Sequence, residues 1–346
     1  MKRVCIIGGS VAGLTTALEL KHLDEDLEVT VFEEHDAIGE HVTCSEGYLA
    51  LDGIEKPPED CIEMSIEEVL FRFNFNGRPS RTYVVNPKNG YWVIDRRKYE
   101  QMLAEKCRDS GVDIKLGHKA SIEKIKPETD ILVDASGAAQ NSGFFAIQYT
   151  VKDDFFYHLE KALFEFTPDL MGFFWIIPKG SELANVGICS IKKEPSNTEE
   201  MEKMLEDYML SKVIHGEVVR TSSGYVGASV RKRLYDKENK TVYVGDAAGF
   251  ANPIMADGIT SAIYSAKVAS EAIAEDKLGS YKKEVISGLN IKNREIAKDI
   301  WTKYGYDVFS DSMAILCEGM VGGVVNMKIL RKFFRRKPVM WLRLLF

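Results

Sequence analysis

The run Val4-Cys5-Ile6-Ile7-Gly8-Gly9-Ser10-Val11-Ala12-Gly13, answered some twenty residues later by Val29-Thr30-Val31-Phe32-Glu33, confines this chain to a small set of folds. An apolar strand breaks into a glycine turn, and a helix follows with Leu14, Ala17, Leu18 and Leu20 along its apolar side. A second apolar strand then ends in an acid, which completes the βαβ unit that grips a dinucleotide. Gly8 permits the tight turn and Gly13 lets the helix pack closely on the strand. The helix N-terminus offers N–H groups and a partial positive charge to a pyrophosphate. Ser10 stands where the fingerprint has its middle glycine. Glu33 is placed to accept hydrogen bonds from ribose hydroxyls.

A chain of 346 residues holds one large or two modest domains, and 45% hydrophobic with 28% charged residues is the balance of a globular protein. The first strand follows Met1 at once and no apolar stretch is long enough to span a bilayer, so neither a signal peptide nor a membrane span is expected. A cytoplasmic location follows. The six cysteines form no CxxC pair, which speaks against a disulfide framework, an iron–sulfur cluster or any other metal site. The net charge of −7 is uneven: residues 328–346 carry seven Lys/Arg and no acid. There Ile329, Leu330, Phe333 and Phe334 fall on one helical face among basic residues until Pro338, the pattern of a segment lying in a membrane interface. The acidic remainder argues against a nucleic-acid partner.

Along the chain, Phe71–Phe75 and Thr82–Val85 alternate on either side of Asn76-Gly77, which predicts a β-hairpin. Asp95 is placed to cap a helix to about Asp109, ended by Gly111 before the strand Val112–Leu116. A short strand, Ile131–Val133, stops at Asp134-Ala135-Ser136-Gly137. From about Gly143 to Gly227 the strands lengthen, with Gly172–Pro178 and Ala184–Ile191 among them and one helix near Thr198–Leu210. The pattern then returns to a strand at Thr241–Val244 and a helix from Gly258 to Glu275. Gly245-Asp246 followed by the Gly258 helix makes a second phosphate-facing turn. A carboxylate at a strand end, far along the chain from the first turn, is what an extended flavin requires for its ribityl hydroxyls.

Three stations, Gly8 to Gly13, Asp95-Arg96 and Gly245-Asp246, resemble the FAD-binding set of the p-hydroxybenzoate hydroxylase superfamily. Within it, Ile38-Gly39 through Cys44-Ser45-Glu46-Gly47, and Gly172-Phe173-Phe174-Trp175-Ile176-Ile177-Pro178-Lys179-Gly180 with Ala184-Asn185-Val186-Gly187, resemble the geranylgeranyl reductase family. That family saturates isoprenoid chains of membrane lipids. The resemblance covers roughly residues 1–275. It departs at Ile254-Met255-Ala256-Asp257-Gly258, where the family carries a glycine-rich step after the proline.

The resemblance implies an α/β fold: a Rossmann-type FAD-binding domain with an inserted antiparallel β-sheet substrate domain and a short helical C-terminal region. The expected boundaries are 1–60, 90–142 and 228–277 for the FAD-binding domain, 61–89 and 143–227 for the substrate domain, and 278–346 for the helical region. It also implies that Gly8, Ser10, Ala12, Gly13, Glu33, Cys44, Ser45, Gly47, Arg96, Ala120, Asp246, Gly258 and Ile259 contact FAD. Phe173, Trp175 and Pro178 line the substrate pocket, and Cys44 is the candidate proton donor. Read alone, Cys44 is equally a small buried hydrophobe and Arg96 a helix-end ion pair. Asp257 either points to solvent or faces the flavin and keeps it more reducing.

The expected activity is hydride transfer from reduced flavin to a prenyl double bond. A reduced nicotinamide, a ferredoxin or a similar carrier is the expected electron donor, and an anionic membrane surface, the inner face of the cell membrane, a further partner. The alternatives are a flavin monooxygenase of a hydrophobic substrate and an FAD-bound electron-transfer or accessory protein at the membrane.

Overall fold

The structure is a computed structural model and describes residues 2–40, 42–139, 143–190, 198–310 and 312. The chain forms two compact units. The first comprises residues 1–63, 92–146 and 222–291; the second takes 64–91, 147–221 and the described residues from Lys292 onward.

The first unit is built on a six-stranded sheet in the order Tyr235–Asp236, Thr241–Tyr243, Ile131–Asp134, Arg3–Ile7, Glu28–Phe32, Asp113–Lys115. All neighbours in it are parallel except the Tyr235–Asp236 edge. Val4, Ile6, Val29, Val31, Leu132 and Val133 are all but inaccessible, because a parallel sheet covered on both faces buries both sides of each strand. That is why these strands are continuous apolar runs in the sequence.

Arg3–Ile7 pairs parallel with Glu28–Phe32 on one side and Ile131–Asp134 on the other. The chain therefore leaves this strand at a topological switch point, where a crevice opens beyond the carboxyl ends. The turn there is tight: Gly8 has φ +106°, and a Cβ on it would stand 2.3 Å from the Ala135 carbonyl oxygen. A Cβ on Gly13 would meet the Gly8 carbonyl oxygen at 1.9 Å, so the helix Val11–Leu23 starts directly against the turn. That helix packs on the helix Ile259–Ala274 across small and hydroxylated residues. The hydroxyls of Thr16 and Ser270 bond the carbonyls of Ala12 and Thr16 at 2.7 and 3.2 Å.

The second unit contains most of a seven-stranded sheet in the order Glu217–Val226, Phe144–Lys152, Leu183–Ser190, Gly172–Pro178, Lys161–Phe166, Glu68–Phe75, Arg78–Val85. The Asn76-Gly77 hairpin forms as expected. Lys161–Phe166 departs from an antiparallel sheet by running parallel to Glu68–Phe75. The hairpin comes from an earlier, separate stretch of chain, so it docks on this edge without a direct turn to dictate direction. In that register Phe71 lies opposite Phe164 and Phe73 opposite Phe166, with ring centroids 5.6 and 4.8 Å apart. On the other face Glu165 is buried, where it accepts from Asn74 Nδ2 at 2.6 Å and pairs with Lys212 Nζ at 2.6 Å.

The region 278–346, expected to stand as a helical region of its own, is shared between the units in its described part. Helix Leu278–Gly288 buries Leu278, Tyr281 and Val285 in the first core, and Tyr281 donates to the Tyr243 carbonyl at 2.7 Å. Trp301 stacks on Phe309 at 4.4 Å in the second unit and meets Phe166 edge-on at 5.8 Å. Short amphipathic helices bury too little apolar area against one another to hold a separate core. The basic segment 328–346 lies outside the described residues.

Trp175 lies flat on Gly187 of the neighbouring strand, and a Cβ at Gly187 would stand 2.1 Å from the indole Cζ2. Gly187→Ala is therefore expected to displace the indole. Overpacking of this kind costs about 1–3 kcal/mol. Thermal unfolding together with Trp emission will show it: the melting temperature drops and the emission changes. A variant with wild-type melting and emission would mean the indole has another seat.

Candidate functional site

The carboxyl ends of the parallel strands in the first unit bring the sequence-predicted residues into one region: Gly8 after Ile7, Glu33 after Phe32, Gly245-Asp246 after Tyr243 and Val244. Glu33 is held by the turn it serves. Its Oε2 accepts from Gly9 N at 2.7 Å and its Oε1 from His35 N at 3.0 Å, with the His35 Nδ1 at 2.5 Å. An anchored carboxylate with lone pairs to spare suits ribose hydroxyls.

Ser10 occupies the N-cap position of Val11–Leu23, yet its side chain makes no capping bond. It turns instead toward the helix Arg96–Asp109, donating to Glu100 Oε1 at 2.5 Å and accepting from Arg96 Nη2 at 2.7 Å. The nucleotide helix thus begins without a side-chain cap, and an anion placed there would meet its N–H groups. Gly13 and Ala12 are buried immediately behind.

Asp95 caps its helix, accepting from Lys98 N at 2.9 Å, and so aims Arg96 inward. The resemblance puts Arg96 on the FAD phosphates or nearby hydroxyls. Its Nε and Nη2 reach Glu100 Oε1 at 3.0 and 2.7 Å, the ion-pair alternative. Burial alone would lower the Arg96 pKa, but Glu100 and Cys44 outweigh it and hold the guanidinium charged. Glu100 itself is 4% exposed. The sequence reading missed it, although its i,i+4 spacing from Arg96 was the signal that could have found it.

Cys44 is half-buried, and the Glu46 N–H donates to its sulfur at 3.2 Å. Burial pushes its pKa up, and the Arg96 charge opposes the rise. Glu46, another residue the sequence left unmarked, is 2% exposed and has φ +66°, a left-handed conformation that costs a non-glycine residue. Its carbonyl accepts from Ile94 N at 3.0 Å, which fixes the Cys44-Ser45-Glu46-Gly47 turn against the strand before Asp95. Ser45 is half-buried and Gly47 is buried at the start of Gly47–Leu49.

Asp246 Oδ2 accepts from Gly227 N at 2.9 Å, and burial raises its pKa against that hydrogen bond. A Cβ on Gly258 would stand 3.0 Å from Asp246 Oδ1. Gly258 is the N-cap of Ile259–Ala274 and Ile259, its first residue, is buried. In the preceding loop, Asn252 Oδ1 accepts from Ile254 N at 2.9 Å and Asn252 N donates to the Asp257 carbonyl at 2.7 Å. Ala256 takes φ +52° there, a left-handed conformation that glycine would adopt without strain. Asp257 does not stand free in solvent: it is half-buried, its Oδ1 is inaccessible, and its charge reaches Tyr48. The compact turn folds its side chain inward.

The remaining expected residues belong to other elements. Ala120 is half-buried against Cys5, Ile7 and Phe32. Phe173, Trp175 and Pro178 sit on a fully buried strand of the second unit. Phe173 and Trp175 share a face, 5.9 Å apart, and the Trp175 Nε1–H donates to Gln148 Oε1 at 3.2 Å. Phe174 faces the other way and stacks on Tyr208 at 4.3 Å.

The model of the family NAD(P)-binding Rossmann-like domain matches residues 6–50, the stretch that forms the Gly8 turn and Glu33. Digeranylgeranylglycerophospholipid reductase 1 of Methanococcoides burtonii is 25% identical, over 82% of this chain and 80% of its own length. The corresponding reductase of Thermoplasma volcanium is 24% identical over 97% and 96%. Among solved structures, a geranylgeranyl bacteriochlorophyll reductase-like protein from Thermoplasma acidophilum superposes with a TM-score of 0.76 at 20% identity, covering 97% of both chains. A flavin-dependent brominase superposes at 0.68 with 17% identity, covering 98% of both. The family resemblance read from the sequence is borne out by these matches: over most of its length the chain is similar to the geranylgeranyl reductases.

Proposed function

We propose that this chain is an FAD-dependent reductase that saturates double bonds in the isoprenoid chains of membrane lipids. The observation that carries the reading is the convergence of the Gly8 turn, Glu33 and Asp246 at the carboxyl ends of one parallel sheet. Its turn suits a dinucleotide, since added Cβ atoms at Gly8 and Gly13 would collide with the Ala135 and Gly8 carbonyl oxygens and prevent the tight strand-to-helix approach. Glu33 would hold the adenosine ribose, the uncapped helix the pyrophosphate, and Asp246 with the Gly258 N-cap the ribityl and ring portion. When bound, the reduced flavin supplies the hydride.

An unactivated alkene accepts hydride poorly, so an acid must protonate the second carbon as charge develops. Cys44 would supply that proton: its S–H bond breaks as the new C–H bond forms. The Arg96 charge, which opposes the rise in the Cys44 pKa, would stabilise the thiolate until water restores the proton. Phe173, Trp175 and Pro178 would provide apolar surface for the prenyl chain. The basic segment 328–346 would hold the protein against an anionic lipid surface, where such chains are found.

Anaerobic reoxidation of the reduced protein tests the function. Addition of a geranylgeranyl lipid is expected to reoxidise the flavin and add two hydrogens per saturated bond by mass spectrometry. Cys44→Ser should slow this about 100-fold, within the usual worth of a general acid, while leaving flavin content unchanged. Reoxidation indifferent to the lipid, with oxygen consumed and a hydroxylated product formed, would establish a monooxygenase instead.

The protein should purify with FAD held without a covalent bond. Asp246→Ala is expected to lower flavin content, read from the absorbance ratio at the flavin and protein bands, more than Glu33→Ala does. Equal flavin in both variants and the unaltered protein would remove Asp246 from the site.

A further inference from the structure

The segment 227–233 is stitched to the turn that carries Asp246. Gly227 N donates to Asp246 Oδ2 at 2.9 Å, its carbonyl accepts from Ala251 N at 3.0 Å, and Arg231 N donates to the Ala248 carbonyl at 3.0 Å. The Arg231 Nε–H reaches the Ala247 carbonyl at 2.7 Å, and its guanidinium lies 4.1 Å from the Tyr243 ring centroid. A Cβ on Gly249 would stand 2.0 Å from the Ser229 carbonyl oxygen, so the two segments run in backbone contact. From this seam three consecutive exposed cations emerge, Arg231, Lys232 and Arg233. Lys282 of the helix Leu278–Gly288 joins them, its Nζ donating to the Lys232 carbonyl at 2.9 Å. All of these residues belong to the first unit.

None of these four cations forms an ion pair among the described residues. Asp236 lies in the field of Arg233, but its carboxylate accepts from Asn239 Nδ2 at 2.8 Å and from Glu238 N at 3.0 Å. Glu284, on the same helix as Lys282, lies in the field of Lys277. Residues 231–240 carry five Lys/Arg against two acids in a chain of net charge −7, so this is a positive face on an acidic protein. Unpaired like charges repel one another, and their summed field draws in an anionic partner. A surface that settles into lipid combines its basic residues with apolar ones. No large hydrophobic residue is exposed anywhere in 227–288, which favours an acidic protein over a lipid surface as the partner.

We infer that Arg231, Lys232, Arg233 and Lys282 form the docking face for an acidic electron-carrier protein that delivers electrons one at a time. The inference rests on the reading of the chain as a flavin-dependent reductase and gives the chemical class of its electron donor. Each saturated bond takes up two electrons and two protons. Two reduced carriers therefore dock in turn, each leaves oxidised by one electron, and both protons come from water. A turnover that needs two dockings is served by fast, weak encounters. Long-range charge provides them, since redox interfaces are small and charge complementarity raises the association rate. The bonds from Arg231 to Ala247 and Ala248 put the face beside Asp246, the residue assigned to the ribityl and ring portion of the cofactor. A carrier seated there is close to the group it must reduce.

Stopped-flow reduction of the flavin-containing protein by a reduced plant-type ferredoxin, an acidic one-electron carrier, reads the face across salt concentrations and needs no lipid. The double variant Lys232→Glu/Arg233→Glu is expected to be reduced about tenfold more slowly than the unaltered protein at low salt, with the gap closing as salt is added. Lys232→Gln/Arg233→Gln should slow reduction in the same sense by less, and serves if the charge-reversed protein fails to fold. Flavin content and photochemical reduction should be unchanged in both. Lys106→Glu/Arg108→Glu makes the same change in net charge on exposed residues of the helix Arg96–Asp109 and should keep the unaltered rate. Equal carrier rates in the folded face variant and the unaltered protein overturn the proposal. So does an equal slowing of Lys106→Glu/Arg108→Glu, which would report net charge alone, and so does reduction by NADH or NADPH but not by the carrier. A face variant that loses binding to phosphatidylserine vesicles while its carrier rate stands gives the face to the membrane instead. If the carrier reduces the flavin with the expected salt dependence but no prenyl lipid reoxidises it, the docking face stands and the reductase reading fails. A protein that takes up no flavin overturns both.

Discussion

The close approach of three backbone segments at the end of the first strand governs the first unit. Gly8 passes the Ala135 carbonyl, and Gly13 passes the Gly8 carbonyl, at distances that leave no space for a Cβ. Because the strand is flanked by parallel neighbours on both sides, this is also where the crevice opens. The position of Glu33 follows from it, since its carboxylate is tied to the Gly9 amide of the same turn. Asp246 is delivered to the same side by a strand in the same sheet, far along the chain. Two acids and one uncapped helix start are therefore set by backbone geometry before any side-chain choice near the chemistry is made.

Charge at this region is organised around one cation. Arg96 is half-buried, and it is kept charged by a neighbouring carboxylate that the helix places one turn later. The arrangement alters what Arg96 can do: a guanidinium held by Glu100 and Ser10 has part of its donor set already engaged. The replacement of a fingerprint glycine by Ser10 thus belongs to a polar triangle and is more than a tolerated deviation. Left-handed backbone at Glu46 and Ala256, on the two turns flanking this cation and Asp246, shows where the fold accepts local strain to keep these groups in place.

The second unit follows a different logic. Its sheet separates an aromatic face, with Phe71, Phe73, Phe164, Phe166, Phe173 and Trp175, from a face where Glu165 is satisfied by Asn74, Tyr208 and Lys212. Stacked rings arise from the parallel register of Lys161–Phe166 on Glu68–Phe75, which puts like residues opposite each other. Buried glutamate under a helix is acceptable because every strong partner it needs is present. The Trp175 seat combines a hydrogen bond to Gln148 with the bare Gly187 backbone, so one face of that indole is fixed by the sheet itself.

Local signals in the sequence determined the βαβ unit, the Asn76-Gly77 hairpin, the Asp95 cap and the Gly245-Asp246 turn, because each is specified within a few residues by glycine conformation, capping chemistry or apolar periodicity. The family resemblance at Trp175–Pro178 and around Cys44 was legible for the same reason: the identities sit in short contiguous runs. Only the tertiary structure decided which partners those residues take. The resemblance implies an FAD contact for Arg96, and its protein partners, Glu100 and Ser10, come from separate segments that meet only in the fold. Asp257 could be solvent-facing or inward on sequence grounds, and the Asn252 turn folds it in. The parallel pairing at Lys161–Phe166 was likewise hidden, since a strand pattern records which face is apolar but carries no record of the neighbour's direction. Sequence fixes what each segment can become; the meeting of distant segments, through burial and charge compensation, fixes which of those possibilities is realised.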